Sequence, residues 1–71
     1  MAQFLTHRLT PRQREVLQLF AEGRSAKEVA AVLKISIRTA EFHKPRILHA
    51  LGLQTTAELV QYAIRNGIIT V

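Results

Sequence analysis

The side chains best suited to chemistry lie close together in one short segment, residues 38–49. It contains basic, aromatic and acidic groups, in the order Arg38, Glu41, Phe42, His43, Lys44, Arg46 and His49. Guanidinium and ammonium groups bind phosphate oxygens, a carboxylate accepts from a cytosine amino group, and an apolar ring packs on a thymine methyl. This segment therefore has the side chains of a nucleic-acid contact surface.

The same inventory gives little support to catalysis or metal binding. The chain has no cysteine and no aspartate, no glycine-rich phosphate loop, and no carboxylate pair that must converge. His43 and His49 are six residues apart and point to different sides of a helix, while His7 lies near the chain end. We expect no enzyme, no cofactor and no metal site, and His43 is predicted to be a structural residue with a local hydrogen bond.

The positive charge is concentrated in the first part of the chain. Residues 1–52 hold nine of the ten Lys and Arg and four of the five Glu. This part therefore carries the whole formal net charge of +5. The last nineteen residues hold only Arg65 and Glu58. A polyanion is expected to be attracted to the first part, which leaves the second part for a different role.

Size and hydropathy indicate one small globular domain. With 71 residues, 48% of them hydrophobic, the chain supports a single core. The absence of cysteine and of any apolar run near 20 residues predicts a cytoplasmic location, with no membrane contact and no export signal.

Caps and apolar spacing predict four helices. A hydroxyl residue precedes each helix, a glycine or a polar turn follows it, and the expected bounds are about 11–22, 26–33, 37–51 and 56–66. The fold class is therefore a compact all-α domain of four helices. Val16, Leu17 and Phe20 form one apolar face of the first helix, and the second helix carries the apolar residues Val29, Ala30, Val32 and Leu33.

The second and third helices have the size and order of a helix-turn-helix. Ala30 is small where the two helices must cross, Ile35 anchors the turn five positions later, and Ala40 faces inward five beyond that. Lys34 occupies the turn position where a left-handed glycine is common.

A helical wheel divides the third helix into two faces. With Ala40, Ile47 and Leu51 turned inward, the opposite face carries Arg38, Phe42, Pro45, Arg46 and His49. A solvated helix surface accounts for the two arginines equally well, but it does not require Phe42 there. An exposed phenylalanine favours contact with a thymine methyl or with a partner.

Four stretches of the chain match one known pattern. Residues 9–17 match an opening Leu-Thr-x-Arg-Glu-x-Glu-Val-Leu, and residues 21–30 match Ala-x-Gly-x-Ser-Asn-Lys-Glu-Ile-Ala. Residues 33–52 follow the signature that ends in Leu-Gly, and residues 67–69 resemble a closing Gly-Leu-Ile. The chain thus resembles the LuxR/NarL-type, or GerE-like, helix-turn-helix domain of bacterial transcription regulators.

The resemblance implies a function and an interface. It implies sequence-specific binding of double-stranded DNA by the effector domain, residues 9–71, of a regulator whose sensory or receiver domain lies outside this sequence. Residues 1–8 are expected to be a flexible end, and no small-molecule ligand is expected in this domain. With the third helix in the major groove, Glu41, Phe42 and Pro45 would face base edges. The implied phosphate contacts are Lys27, Arg38, Thr39, Lys44, Arg46 and His49.

Two of these positions carry a further expectation. Lys44 lies only about 40° from Ala40 on the wheel, so its stem must follow the core edge before the ammonium reaches outward. Glu41 has an alternative role as a surface carboxylate paired with Arg38 or Lys44.

The fourth helix is predicted to form a homodimer, as the resemblance implies. If Val60, Ala63 and Ile64 face the core, a second stripe remains for a partner, namely Leu59, Tyr62 and Asn66. The alternative is that Leu59 packs inside and Tyr62 is a lone surface ring.

Departures from the family pattern keep a second function open. Ala26, Ala40, Ala50 and Thr56 replace the customary Asn, Val, Lys and Arg, and Pro45 stands inside the third helix. We expect Pro45 to kink that helix and to reduce base readout there. The alternative function is a protein-interaction or dimerisation module that has lost most base readout.

Overall fold

The computed structural model describes residues 9–69, and this part of the chain consists of four helices without a strand. They are α1 (Pro11–Ala21), α2 (Ala26–Leu33), α3 (Ile37–Leu51) and α4 (Thr56–Arg65). The all-α fold is confirmed, with the helix ends within one residue of the predicted ones. The expected flexible end, residues 1–8, lies outside the described residues.

Side-chain caps start every helix at the expected hydroxyl residue. In α1 the Gln13 amide N–H donates to Thr10 Oγ1 at 3.1 Å, and Thr10 N–H donates to Gln13 Oε1 at 2.9 Å. The same reciprocal box begins α2 and α4. In α3 Thr39 N–H donates to Ser36 Oγ at 3.0 Å, and the Ser36 hydroxyl donates to Thr39 Oγ1 at 2.8 Å. Local sequence therefore fixes where each helix begins.

The turn between α2 and α3 depends on one left-handed residue. Lys34 has φ 57° and ψ 46°, and it is the only non-glycine residue with positive φ in the described part of the chain. This conformation costs about 1 kcal/mol for a residue with a Cβ. The turn is closed by Ile35 N–H, which donates to Ala30 O at 3.0 Å. The predicted helix-turn-helix corner is confirmed.

Helix α1 lies at the centre of the fold. It packs against the other three helices, while α2 packs most closely on α3, and α4 packs mainly on α1. Within residues 9–69 no polar or charged residue is buried. The core is formed by apolar side chains from all four helices and the segment before α1: Leu9, Val16, Leu17, Phe20, Val29, Ala30, Ala40, Ile47, Leu51 and Leu59.

The apolar residues of α2 are only partly buried. Val32 is 51% exposed, and Leu33 is half-buried at the edge of the core. Six of the eight residues of this helix are apolar, so they span a wide arc of it. Its neighbours α1 and α3 cover only the side that carries Val29 and Ala30.

The orientation predicted for α4 is wrong. Leu59 is 1% exposed and belongs to the core, and Tyr62 packs against it. Ala63 is buried as expected, but Ile64 is 40% exposed and Val60 is only half-buried. Both stripes of α4 contain apolar residues, so periodicity alone left the choice open. Packing on α1 selects the stripe with Leu and Tyr, whose side chains offer more apolar area to bury.

Candidate nucleic-acid interface

The outer face of α3 is the proposed interface, and its orientation is fixed by its inner face. Ala40 and Ile47 are both 0% exposed, so the residues opposite them must face solvent. The predicted division of this helix is confirmed. The expected contact residues of α3 that are exposed are Arg38, Thr39, Glu41, Phe42, Pro45, Arg46 and His49. Lys27, at the second position of α2, is exposed as well.

Phe42 and Arg46 form a cation–π pair on this face. The Phe42 side chain is 54% exposed, and the Arg46 guanidinium carbon lies 4.3 Å from the centre of its ring. A guanidinium over an aromatic face is held by a cation–π attraction of about 0.5 to 1 kcal/mol at an exposed site. The four-residue spacing places both side chains one above the other on the helix.

Glu41 stands apart from its basic neighbours. The described residues contain two ion pairs, Arg12 with Glu15 at 3.7 Å and Arg24 with Glu22 at 3.4 Å. Neither of the pairings considered for Glu41, with Arg38 or with Lys44, is present. The Glu41 carboxylate is therefore an exposed acceptor on an otherwise basic face.

Lys44 corrects one expectation. Its stem follows the core edge as predicted, but the ammonium lies 5.2 Å from the centre of the Phe20 ring instead of reaching outward. Phe20 is 4% exposed, so the ammonium covers the rim of the core. This cation–π contact holds the charge at the edge of the core.

His43 lies at the rim of the core, where it was expected. Its ring is half-buried and meets the Phe42 ring edge-on, with centroids 6.4 Å apart and planes at 63°. The expected local hydrogen bond is absent at one nitrogen, because Nδ1 is buried with no hydrogen-bond partner among the described residues. His43 therefore acts through packing against the side chain next to it.

Pro45 does not end the helix. Helical structure is continuous from Ile37 to Leu51, and Pro45 is exposed on the outer face. Beside it lies an open cleft of about 460 Å³, lined by Gln13, Pro45, Arg46, His49 and Ala50. The cleft places the first turn of α1 next to the outer face of α3.

Sequence reasoning missed one residue at this surface. Gln13 lines the cleft beside Arg46 and His49, although its amide oxygen is already used in the α1 cap. The sequence marked Gln13 only as a capping residue, and its position beside α3 depends on how α1 packs.

Two carboxylates with lowered pKa lie outside this face. Hydrogen bonds from the Ser25 backbone lower the pKa of Glu28, and those from Gln54 and Thr55 lower the pKa of Glu58. Both effects come from helix caps, since Glu58 Oε1 accepts from Gln54 N–H at 2.8 Å and Thr55 N–H at 2.9 Å. These shifts mark structural carboxylates.

Neither a cluster of metal-ligating side chains nor a membrane-spanning helix is found in residues 9–69. No group of three or more His, Cys, Asp or Glu side chains lies close enough together there to hold a metal ion. None of the described helices has both the length and the apolar character needed to cross a membrane.

Comparison with known proteins identifies the class to which this fold and face belong. Residues 7–63 match the family described as bacterial regulatory proteins, luxR family (GerE). The chain belongs to this family, and it is a transcription-regulator DNA-binding domain. Since such domains bind DNA without catalysing a reaction, the chain is not an enzyme.

Individual relatives agree with this class. The chain is 47% identical over 62 residues to the transcriptional regulatory protein MctR of Rhizobium johnstonii, covering 87% of this chain and 29% of MctR. It is 41% identical over 61 residues to the oxygen regulatory protein NreC of Staphylococcus aureus, covering 86% of this chain and 28% of NreC. It is 38% identical over 65 residues to the uncharacterized response regulatory protein YgeK of Escherichia coli, covering 92% of this chain and 44% of YgeK. The chain thus spans less than half the length of these relatives.

Proposed function

We propose that this domain reads duplex DNA by placing α3 in the major groove, as the effector part of a regulator in the bacterial cytoplasm. The observation that carries the proposal is the outer face of α3, where exposed cations and an exposed ring surround one unpaired carboxylate. A major groove about 12 Å wide admits a single α-helix. Glu41, Phe42 and Pro45 lie where a helix in that groove meets base edges.

Phosphate contacts would set the register of the helix on the duplex. Lys27, Arg38, Thr39 and His49 are exposed and are the proposed contacts, together with Lys44 and Arg46. Roughly four to six cations per subunit would then meet phosphate. On that basis log affinity falls with log salt at a slope of about −0.9 for each contact.

A titration of the domain on labelled duplexes tests this proposal. Anisotropy is measured on a pool of random duplexes and on duplexes enriched by selection, each at two salt concentrations. We expect salt-dependent binding with a preference for the enriched sequences. Glu41→Ala should change which sequences are preferred, whereas Glu15→Ala, which removes an exposed carboxylate from α1, should not. A flat salt response, or no binding at low salt, would favour the interaction-module alternative.

We also propose that the domain pairs through α4 on palindromic DNA. Leu59 lies in the core and is unavailable to a partner. The proposed dimer contact is therefore the stripe of α4 on the solvent side, which consists of Ala57, Val60, Gln61 and Ile64. Its spacing of i, i+3, i+4 and i+7 is that of one helix face. Tyr62 and Asn66, both half-buried, lie beside this stripe and remain proposed contacts at its edge.

Sedimentation of the complex with a palindromic duplex tests the pairing. We expect two protein copies per duplex for the parent and one copy for Ile64→Asp. Val32→Asp is the matched control, since Val32 is also an exposed aliphatic residue but lies on α2. One copy of the parent per palindrome would show that α4 does not pair.

A further inference from the structure

The contact between Arg46 and Phe42 leaves the hydrogen-bond donors of Arg46 available. The guanidinium carries five N–H donors, and its carbon lies 4.3 Å from the centre of the Phe42 ring. No ion pair or hydrogen bond within the described part of the chain uses these donors. The ring thus holds the guanidinium in place while its N–H groups stay available.

The contact also changes where the Arg46 charge lies along α3. A side chain at position 46 that folds over Phe42 brings its guanidinium one turn toward the start of the helix. In a helix-turn-helix the first part of the recognition helix meets the base edges. The guanidinium therefore lies over the part of α3 that faces bases, which is a poor position for a contact limited to phosphate.

The Phe42 ring has a second free surface. One ring face is covered by Arg46 and one edge meets His43, yet 54% of the side chain remains exposed. An exposed apolar ring in the major groove packs on the C5 methyl of thymine. The two groups are 4.3 Å apart, so the bases they contact must be neighbours.

We infer that Phe42 and Arg46 act as one recognition unit for a thymine next to a guanine. Arg46 donates two hydrogen bonds to O6 and N7 of the guanine, and the Phe42 ring packs on the methyl of the adjacent thymine. The ring also pre-organises the guanidinium, so less side-chain entropy is lost on binding. This inference rests on the proposed placement of α3 in the major groove, and it moves Arg46 from phosphate contact to base readout.

Selection from random duplexes followed by base analogues tests the inference. We expect the enriched sequences to contain a thymine–guanine step. Replacing that guanine by 7-deazaguanine, which lacks N7, should weaken binding. Loss of a whole bidentate contact weakens binding by roughly 5- to 150-fold, so loss of N7 alone should stay within that limit. Replacing the thymine by uracil, which lacks the methyl, should weaken binding of the parent several-fold and leave Phe42→Ala unchanged.

Arg46→Lys separates base readout from phosphate contact. A lysine keeps the charge but cannot form the planar fork. We expect this variant to keep the salt slope and to lose the preference for guanine, while Phe42→Leu keeps some preference for thymine and weakens that for guanine. Both side chains are exposed, so the melting temperature should stay near that of the parent.

Three results would overturn the inference. The first is an enriched sequence that lacks the thymine–guanine step, and the second is an Arg46→Lys variant with the parent's sequence preference. The third is a uracil effect that persists in Phe42→Ala. Failure of the proposed function looks different, since no sequence would then be enriched and no salt-dependent binding would be seen.

Discussion

The outer faces of α3 and α4 differ in chemistry although both helices bury a similar inner stripe. The α3 face exposes two arginines, a histidine and an aromatic ring around Glu41. The α4 face exposes Ile64 and Gln61 with a half-buried Val60, and its segment carries one cation and one anion. One face suits a polyanion and the other suits an uncharged surface such as a second copy of the helix.

The comparison shows that helical periodicity alone does not locate a functional face. In α3 the inward positions are all apolar, and Lys44 is the one charged residue of this helix at their edge, so the helical wheel separated the two faces correctly. In α4 both sides carry apolar residues, and the prediction chose the wrong one. The predictions below test this difference between the two helices, beginning with the largest expected effect.

The inward position of Leu59 is the first point to test. Leu59→Ala removes a fully buried side chain and should lower the free energy of unfolding by about 2 to 5 kcal/mol. Ile64→Ala, on the exposed side of the same helix, should lower it by about 0.5 kcal/mol. Urea denaturation measures both. Equal losses for the two variants would contradict the assignment of faces on α4.

Pro45 tests whether a residue on the outer face of α3 lowers the stability of the domain. Its ring removes the N–H that would donate to Glu41 O, so Pro45→Ala should raise stability by as much as about 3 kcal/mol. The melting temperature should then rise by several degrees, since each kcal/mol shifts a domain of this size by about 4 to 8 °C. Pro11→Ala is the control, because a proline at the first helical position costs nothing there. No gain from Pro45→Ala would show that α3 accommodates the ring without strain.

Substituting one arginine on α3 and one on α4 compares the two helices by charge alone. Arg38→Ala on α3 should weaken duplex binding several-fold and make the salt slope shallower by about 0.9. Arg65→Ala on α4 removes the same charge from the other face and should change neither quantity. Affinities at three salt concentrations measure the slopes. If the two variants behaved alike, net charge rather than the α3 face would account for binding.

The smallest effect concerns a feature that α4 has and α3 lacks, a carboxylate in the N-terminal cap. Because the Glu58 pKa is lower in the folded chain than its ordinary value of 4.5, the cap stabilises the fold fully above that pH. The contribution is lost as the pH falls from 4.5 through the lowered pKa. Glu58→Gln should reduce this part of the acid sensitivity, since Gln13 already fills the same capping role in α1. Urea midpoints at pH 3 to 7 measure the difference, and an unchanged pH dependence would show that the Glu58 cap contributes nothing.

The sequence by itself determined the four helices and the face of α3. Hydroxyl caps and their Glu or Gln partners act within four residues, so each helix start was readable from local chemistry. The left-handed position of Lys34 followed from the helix-turn-helix spacing. The inward position of Ala40 and Ile47 followed from the helical spacing of the apolar residues.

Tertiary structure decided what local patterns left open. Which apolar stripe of α4 is buried depends on the surface that α1 offers, and the exposure of Val32 depends on how far α1 and α3 extend over α2. The contact of Lys44 with Phe20 joins α3 to α1. Such choices are made by the total area buried and by the rings within reach, which no single segment contains.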